Sequence, residues 1–319
     1  MPRLKLFFHD ACFDGTGSAA LFSAFYRARE AGAVIEPVGM QHSTGDPFDG
    51  VVMDADDHAC VDFRYTSRPQ LRWWFDHHAT AFQPATLRDD FEARRTDDMA
   101  FDPAAPSCAG LVTRVLAERH GWTPPAPLVE LARWADIIDA AAFASAAEAC
   151  SLSTPAQQLA MWLGAVRDPA AIARYIDELS RDGLDALAAA PWVRAVLDPA
   201  LARRESDRER WAEIGRLVGH GDIVLFDLLD EDRPPPGFSG YDLFPDCTYT
   251  VTLGRTAHAV KVGVGWNPWG PTPRTHDLGA LCERLGGGGH ASVGGVTLAR
   301  DDDHRARNVA AALVAGLAT

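Results

Sequence analysis

Short apolar segments alternate with a helix-forming segment at the start of the chain. Leu4–His9 is an apolar run that ends in polar residues, as a buried strand does. Gly15 and Gly17 follow, and Ser18–Tyr26 has the composition of a helix. Ala33–Met40 is the next predicted strand. This order of strand, turn, helix and strand predicts an α/β layer with a mostly parallel sheet and flanking helices.

Three further apolar runs, Val51–Met53, Ala59–Val61 and Leu71–Phe75, are each followed at once by an aspartate. In open α/β sheets, ligands bind beyond the carboxyl ends of the strands. Polar side chains at those ends are therefore candidates for a functional site. With the first strand included, the candidates are His9, Asp54, Asp62, Asp76, His77 and His78.

The second half of the chain is predicted to contain long helices followed by a second group of strands. From Ser107 to about Ala190 it is rich in Ala and Leu and is predicted to be helical. Ala200–Val218 is predicted as a charged helix whose mixed signs are typical of a solvated surface. The later predicted elements are strands at 222–229, 247–253 and 257–266, a short helix at 278–285, one more strand, and a closing helix from about residue 304. We therefore expect a first domain over 1–195, a linker helix over 196–220 and a smaller α/β domain over 221–319.

Charge and cysteine usage narrow the function classes. The 319 residues include 44 acidic and 30 basic side chains, giving a formal net charge of −14. Tight, sequence-independent binding to long nucleic acid needs a basic face, so only a short anionic ligand is expected. The apolar run at Met1–Phe8 is too short for a signal peptide, and no stretch approaches the ~20 apolar residues of a membrane span. The six cysteines form no CxxC pair, so we expect a cytoplasmic protein with buried thiols, Cys12 excepted.

Two clusters combine side chains that bind metals. His9, Cys12 and Asp14 follow the first strand, in a loop that can turn all three toward one point. Imidazole, thiolate and carboxylate ligands suit Mn²⁺, Fe²⁺ or Zn²⁺. The alternative is a polar turn in which one aspartate caps the next helix. Asp76–His78 directly follows a buried strand, which favours a metal or phosphate site over a hydrogen-bonded strand end.

A third candidate lies in the predicted helical region. Asp136 and Asp139 are three residues apart, so they share one face of an apolar helix. Two acids on such a face cost stability unless a positive charge compensates them. A metal ion would do so, and so would a side chain such as Arg133.

A fourth candidate is the glycine run that precedes His290. Gly287, Gly288 and Gly289 lose much conformational entropy on folding. Such a run makes sense where N–H groups must approach an anion closely, with His290 as a further donor. The alternative is a flexible loop.

Together these motifs resemble the DHH phosphoesterase superfamily. Its members join an α/β metal-binding domain, which carries a literal Asp-His-His motif, to a smaller DHHA1-type domain with a Gly-Gly-Gly-Gly-His loop. Asp76–His78 and Gly286–His290 occur here in that order. The resemblance covers nearly the whole chain and implies two α/β domains joined by a helical linker.

The resemblance also implies roles for individual residues. The implied metal ligands are His9, Cys12, Asp14, Asp62, His77, Asp136 and Asp139. Asp54 is an alternative to Asp62 as the bridging ligand, and Asp139 fits the family spacing better than Asp136. Asp76 and His78 are implied in catalysis, and Gly287, Gly288, Gly289 and His290 in substrate binding. Most members have an aspartate where this chain has Cys12, and a thiolate prefers softer ions, so occupancy of both metal positions is left open.

The implied activity is that of a cytoplasmic, metal-dependent phosphoesterase. A metal-activated hydroxide would hydrolyse a small phosphate ester, with two Mn²⁺ ions expected and Mg²⁺, Fe²⁺ or Zn²⁺ as alternatives. The expected substrate is a short oligonucleotide or a nucleotide, and neither long nucleic acid nor a membrane is expected as a partner. A phosphoanhydride hydrolase and a weakened nucleotide-binding sensor are the alternatives. The resemblance allows a homodimer.

Overall fold

Two separate sheets organise the chain. The computed structural model describes residues 1–10, 12–41, 46–256 and 259–318, and of His290 it describes the main chain only. One unit consists of Met1–Phe143 and Leu152–Asp198, and the other of Ala144–Ser151 and Pro199–Thr319. The predicted strand over 257–266 thus begins at two positions that lie outside the described residues.

The first unit is built on a five-stranded, all-parallel sheet. Its strands are β1 (Arg3–His9), β2 (Val34–Met40), β3 (Asp57–Val61), β4 (Trp73–Asp76) and β5 (Met99–Phe101), in the spatial order β2-β1-β3-β4-β5. The helices that follow along the chain are α1 (Phe13–Arg29), α2 (Leu87–Arg94), α3 (Cys108–His120), α4 (Ala126–Asp139), α5 (Ala146–Cys150, which belongs to the second unit), α6 (Pro155–Ala165), α7 (Pro169–Ala189) and α8 (Pro191–Ile214). The α/β class with a mostly parallel sheet is confirmed.

The central strands of this sheet are buried and mostly apolar. Leu4, Leu6, Phe7 and Phe8 of β1 are all buried, and every residue of β3 and of β4 is buried as well. Strands of a parallel sheet are covered on both faces, so they are continuous apolar runs rather than alternating ones. In β1, β3 and β4 the polar side chains lie at or next to the strand ends, apart from Lys5 of β1, which is 7% exposed.

The second unit holds a six-stranded mixed sheet. Its elements are β6 (Arg216–Val218), β7 (Ile223–Asp227), α9 (Ser239–Leu243), β8 (Tyr249–Arg255), β9 (Ala259–Trp266), α10 (Leu278–Glu283), β10 (Gly288–His290), β11 (Val293–Ala299) and α11 (Asp303–Leu317). The spatial order is β10-β11-β9-β8-β7-β6, with β7 and β8 parallel and the other neighbours antiparallel. Apolar side chains of β8 and β9, such as Val251 and Val262, pack with Leu281 of α10 and Leu313 of α11.

Some predicted elements differ from the observed ones. Val51–Met53 is not a strand, because Val51 and Met53 pack against the core from a loop while β3 takes the place beside β1. The predicted charged helix ends at Ile214, and Arg216–Val218 forms β6 instead. Gly215 sits between them, where an added Cβ would lie 2.6 Å from the Phe244 ring. Among the described helices, none has the length and apolar character needed to cross a membrane.

The two units do not follow the predicted linear division at every point. The boundary between the two units falls between Asp198 and Pro199, inside α8, whereas the sequence suggests a linker over 196–220. The segment Ala144–Ser151 packs with the second unit. Ala146 joins its aromatic core, and Ser239 Oγ lies 3.5 Å from Cys150 Sγ.

The close approach of α1 to the end of β1 can be tested at Gly15, in the first turn of α1. An added Cβ on Gly15 would lie 2.1 Å from the carbonyl oxygen of His9, which is main chain and cannot move aside. We expect Gly15→Ala to lower the free energy of unfolding by roughly 1–3 kcal/mol, as overpacking does. Urea denaturation followed by circular dichroism measures this change.

Gly17→Ala is the matched control in the same helix. The added Cβ at Gly17 would lie 3.4 Å from Leu131 Cδ1, which is ordinary contact. Since alanine is favoured over glycine in helices by up to about 1 kcal/mol, Gly17→Ala should leave stability unchanged or raise it. Equal stability of the two variants would contradict the close approach of α1 to the end of β1.

Candidate metal centre

Three neighbouring strands of the first sheet bring polar side chains to one edge. β1 ends at His9, Asp62 follows β3 directly, and β4 ends at Asp76. The strands are parallel, so their carboxyl ends lie together. α1 carries Asp14 in its first turn, and α4 reaches the same edge with its last residue, Asp139.

The His77 imidazole lies among the acidic side chains. Its Nε2 atom is 3.4 Å from Asp14 Oδ2. The same atom is 3.5 Å from Asp62 Oδ1 and 3.5 Å from Asp139 Oδ2. On the other side of Asp62, His9 Nδ1 is 3.5 Å from Oδ2. Among the described residues, donor atoms that lie within 4.8 Å of one another form three overlapping sets. These are His9, Cys12 and Asp62; Asp62, His77 and His78; and Asp14, His77 and Asp139.

The Asp62 carboxylate is the most constrained of these groups. Its residue is 1% exposed, and neither side-chain oxygen makes a hydrogen bond to any described residue. Its main chain has a φ of +56°, and its N–H donates to the carbonyl oxygen of Phe75 at 2.9 Å. A positive φ is uncommon outside glycine, and such conformations cluster at functional sites. The protein therefore holds a buried carboxylate in a conformation that the chain alone does not favour.

Main-chain groups orient the histidines. The Nδ1 atom of His77 is 3.0 Å from the carbonyl oxygen of Ala105, so Nδ1 carries the proton and Nε2 faces the carboxylates. Asp76 Oδ1 accepts hydrogen bonds from the N–H of His77 at 2.8 Å and of His78 at 3.2 Å. The same oxygen is 2.7 Å from Nδ1 of His78. Asp76 thus holds the main chain of both histidines and the imidazole of His78, and it belongs to none of the three donor sets.

Asp14 is fixed by the start of α3. Its two carboxylate oxygens accept hydrogen bonds from the N–H groups of Cys108 and Ala109, at 2.7 Å and 2.8 Å. Sequence reasoning misses these amides, and also the Ala105 carbonyl, because main-chain groups leave no signature in the residue types.

The buried carboxylates and imidazoles of the cluster act on one another's charges, and the result favours binding of a cation. Burial and the Asp62 carboxylate raise the pKa values of Asp14, Asp139 and Cys12. Burial opposes the charge on Asp62 as well, but the His77 and His9 imidazoles outweigh it and lower its pKa to about 2. For His77, burial favours the neutral form, but the carboxylates of Asp62 and Asp14 raise its pKa to about 10. A cation that binds His77 Nε2 at neutral pH therefore replaces a proton.

Two sequence candidates lie outside the cluster. Asp136 shares a helix with Asp139, but its Oδ1 accepts a hydrogen bond from Ser107 Oγ at 2.6 Å and packs against Gly110 of α3. Asp54 is exposed, and its carboxylate pairs with Lys5 Nζ at 2.5 Å. The structure thus brings Asp62 and Asp139 into the cluster and leaves the alternatives Asp54 and Asp136 outside.

Gly288 and Gly289, the last two glycines of the run in the second unit, lie in strand β10 rather than in a flexible loop. A Cβ on Gly287 would lie 2.1 Å from the carbonyl oxygen of Gly295, and one on Gly289 would lie 2.4 Å from that of Val293. The close approach of β11 therefore requires glycine at both positions. The Gly287 N–H donates to the carbonyl oxygen of Cys282, so this amide is already engaged. The amides of Gly288 and Gly289 stay predicted anion donors, and the His290 side chain lies outside the described residues.

The donor set of the first unit fits divalent metal ions. It contains imidazole nitrogens, carboxylate oxygens and one thiol, and the carboxylate of Asp62 is buried without a hydrogen bond from the described part of the chain. Mixed nitrogen and oxygen ligands suit Mn²⁺, Fe²⁺ and Zn²⁺. A buried charge is stable only when it is paired or coordinates a metal.

Comparison with known proteins identifies the fold. No family model and no curated protein matches the sequence. The structure is similar to a pGpG-specific phosphodiesterase, PggH of Vibrio cholerae, with a TM-score of 0.71 and 20% identity over 99% of this chain and 100% of that one. An exopolyphosphatase-related protein from Bacteroides fragilis matches with a TM-score of 0.50 and 12% identity, over 99% and 92% of the two chains.

A third solved structure is RecJ of Thermus thermophilus in complex with Mn²⁺. It matches with a TM-score of 0.55 and 16% identity, and the match covers 99% of this chain but 52% of RecJ. At 12–20% identity, these likenesses show a shared fold. The resemblance that the motifs indicate is thereby confirmed at the level of the fold.

The buried carboxylate predicts how metal binding changes stability. After metal removal with EDTA, we expect saturating Mn²⁺ to raise the melting temperature of the wild type by roughly 5–10 °C, since a ligand at 100 times its Kd adds about 2.7 kcal/mol. Asp62→Asn keeps the shape of the side chain but removes its charge, so most of this shift should disappear. Differential scanning calorimetry measures both.

Asp54→Asn is the matched control, because Asp54 is exposed and pairs with Lys5. It should show the full wild-type shift. A full shift in Asp62→Asn, or no shift in the wild type, would show that the cluster does not bind the ion.

Proposed function

We propose that this chain, which has the fold of the DHH phosphoesterases, is a divalent-metal-dependent phosphoesterase that hydrolyses short oligonucleotides or nucleotides. The observation that carries the proposal is the buried Asp62 carboxylate, which lies within 3.5 Å of both His9 and His77. The printed names of the similar structures add support, since one is a pGpG-specific phosphodiesterase and another is RecJ with Mn²⁺.

The cluster offers ligands for two ions. Two of its donor sets share no residue: one is His9, Cys12 and Asp62, and the other is Asp14, His77 and Asp139. We infer that each set holds one divalent ion, and that Mn²⁺ serves in the set of Asp14, His77 and Asp139, which has no thiol. A divalent ion bound there makes water a stronger nucleophile near neutral pH and neutralises charge on phosphoryl oxygens.

We propose that His78 acts on the substrate. Asp76 holds its Nδ1 atom, which leaves Nε2 to donate a hydrogen bond to a phosphoryl oxygen. Burial favours the neutral imidazole, but the hydrogen bond to Asp76 outweighs it and raises the pKa of His78. A protonated His78 would stabilise the negative charge that develops on the phosphoryl group. Asp76, which also receives two main-chain N–H groups, is a positioning residue in this scheme.

The charge of the chain restricts the substrate. With a net charge of −14, attraction to a long polyanion is weak, so the proposal is limited to short substrates. The repulsion between a small phosphate ester and the acidic chain would be offset once metal ions bind the phosphoryl group. The proposed substrate class is therefore the dinucleotide or short oligonucleotide.

Turnover of a dinucleotide tests the proposal. We expect purified protein with Mn²⁺ to release nucleoside monophosphate from pGpG or pApA, measured by ion-exchange chromatography. Asp62→Asn and His77→Ala should each lower kcat by about 100-fold or more, as the loss of a key charge-stabilising group does. Asp54→Asn should keep the wild-type rate.

The same assay separates the alternatives. Cleavage of polyphosphate but not of dinucleotide would replace the proposal with a phosphoanhydride hydrolase. Binding of dinucleotide without turnover, in the wild type as in His77→Ala, would make the protein a nucleotide sensor.

Cys12 gives one metal position a sulfur donor. Its side chain lies in the donor set with His9 and Asp62. Thiolates favour softer ions than carboxylates do, so we propose that this position prefers Zn²⁺ or Fe²⁺ over Mn²⁺ more strongly than an all-oxygen and nitrogen set would. Cys12 is half-buried, whereas the other five cysteines are buried.

Cobalt substitution tests this preference. The wild type loaded with Co²⁺ should show a near-ultraviolet sulfur-to-cobalt charge-transfer band, and Cys12→Ser should lose it. Cys12→Asp should bind Mn²⁺ about tenfold more tightly relative to Zn²⁺, by equilibrium competition. An unchanged band in Cys12→Ser would show that the thiol is not a ligand.

A further inference from the structure

Cys12 differs in its surroundings from the other cysteines of the chain. All six cysteines are free thiols, and Cys12 is partly exposed whereas the other five are buried. Cys150 is the most exposed of those five at 7%, and its Sγ atom lies 3.5 Å from Ser239 Oγ. Cys12 follows β1 at the polar edge of the first sheet, directly before α1. A small solute can therefore reach the Cys12 sulfur without opening an apolar core.

The Cys12 side chain has no evident role in holding the fold together. It precedes α1 at the N-cap position, where a serine or aspartate side chain usually accepts a hydrogen bond from a helix amide. The Cys12 side chain makes no such cap hydrogen bond. Its Sγ atom lies instead within 4.8 Å of a ring nitrogen of His9 and of a carboxylate oxygen of Asp62.

Asp62 independently indicates that a cation binds beside this sulfur. Its residue is 1% exposed, and neither carboxylate oxygen makes a hydrogen bond to any described residue. A buried charge of this kind is stable when it is paired or coordinates a metal. A cysteine that coordinates a metal does so as the thiolate, which is also the form that oxidants attack. The same sulfur is therefore a metal ligand and a site of oxidation.

Oxidation of a thiolate by hydrogen peroxide is a balanced two-electron step. The sulfur attacks one peroxide oxygen, so that an S–O bond forms while the O–O bond breaks. The hydroxide that leaves takes up a proton and becomes water. The sulfur is oxidised to a sulfenic acid and the peroxide is reduced. A dithiol reverses the step, since it reduces the sulfenic acid to the thiol, releases water and is itself oxidised to a disulfide.

We propose that Cys12 is a reversible oxidation site through which peroxide controls the metal content of its donor set. The inference rests on the proposed metal centre and adds a means of regulating it. Oxidation removes the sulfur donor and leaves His9 and Asp62 as the described donors of this set. The separate donor set that contains Asp14 has no sulfur, so peroxide leaves its ligands unchanged. Peroxide thus empties one metal position and spares the other.

Zinc release tests the proposal without a measurement of turnover. Wild-type protein loaded with Zn²⁺ and freed of excess metal is treated with hydrogen peroxide beside a colorimetric zinc chelator. We expect release of about one equivalent of zinc, because one donor set loses a ligand. Dimedone, which labels sulfenic acids, should modify Cys12 in peptide mass spectrometry. Dithiothreitol followed by fresh Zn²⁺ should restore the lost equivalent when dimedone is left out.

Two variants give this experiment its controls. Cys12→Asp keeps a metal ligand at the position but replaces sulfur with oxygen, so it should keep its zinc through the same treatment. Cys150→Ala removes the most exposed of the buried thiols, which belongs to none of the donor sets, and it should release zinc as the wild type does.

The outcomes separate this inference from the proposed function. A wild type that keeps its zinc in peroxide, or a Cys12→Asp variant that loses zinc equally, would overturn the oxidation site even if dinucleotide is hydrolysed. Zinc release that depends on Cys12, in a protein that does not hydrolyse dinucleotide, would support the oxidation site and overturn the phosphoesterase. A wild type that binds no zinc would overturn both.

Discussion

The candidate site depends on one buried charge. Asp62 follows β3 at the centre of a sheet whose strands are covered on both faces, and its carboxylate cannot reach water. Burying a charge without a partner costs several kcal/mol, so this arrangement persists only if a cation offsets it. The imidazoles of His9 and His77 do this in part, at 3.5 Å, and a divalent ion would do it more fully. The proposed metal-dependent activity rests on this need for a cation beside Asp62.

The remaining groups are arranged around this charge by main-chain hydrogen bonds. The Ala105 carbonyl sets the ring orientation of His77, and the amides at the start of α3 hold Asp14. Asp76 receives the amides of both histidines that follow it. Because each side chain is held by rigid secondary structure, the donors are in place before a ligand arrives. Such preorganisation is what charge stabilisation in phosphoryl transfer requires.

Much of the candidate site could be predicted from the sequence, because apolar parallel strands that end in polar residues place those residues at one edge of the sheet. His9, Asp62 and Asp76–His78 follow that rule. The rule could not decide between Asp54 and Asp62, since that choice depends on Lys5 of β1, which pairs with Asp54 in the loop before β3. Nor could it separate Asp136 from Asp139.

Other features depend on contacts that no local pattern contains. Val51–Met53 has the composition of a strand, but it packs on the core from a loop. The glycine run owes its composition to the close approach of β11, which only the folded sheet reveals. Main-chain donors such as the Cys108 amide are invisible to any argument from residue types. The sequence therefore predicts the residues of the cluster well and the contacts that hold them in place poorly.

The most direct test is a crystal structure of the protein grown with Mn²⁺, with an anomalous difference map collected at the manganese absorption edge. The account predicts a peak within coordination distance of a carboxylate oxygen of Asp62 and of an imidazole nitrogen of His9 or His77. An ordered Asp62 with no anomalous peak beside it, at saturating Mn²⁺, would contradict the claim that this carboxylate is buried in order to hold a metal ion.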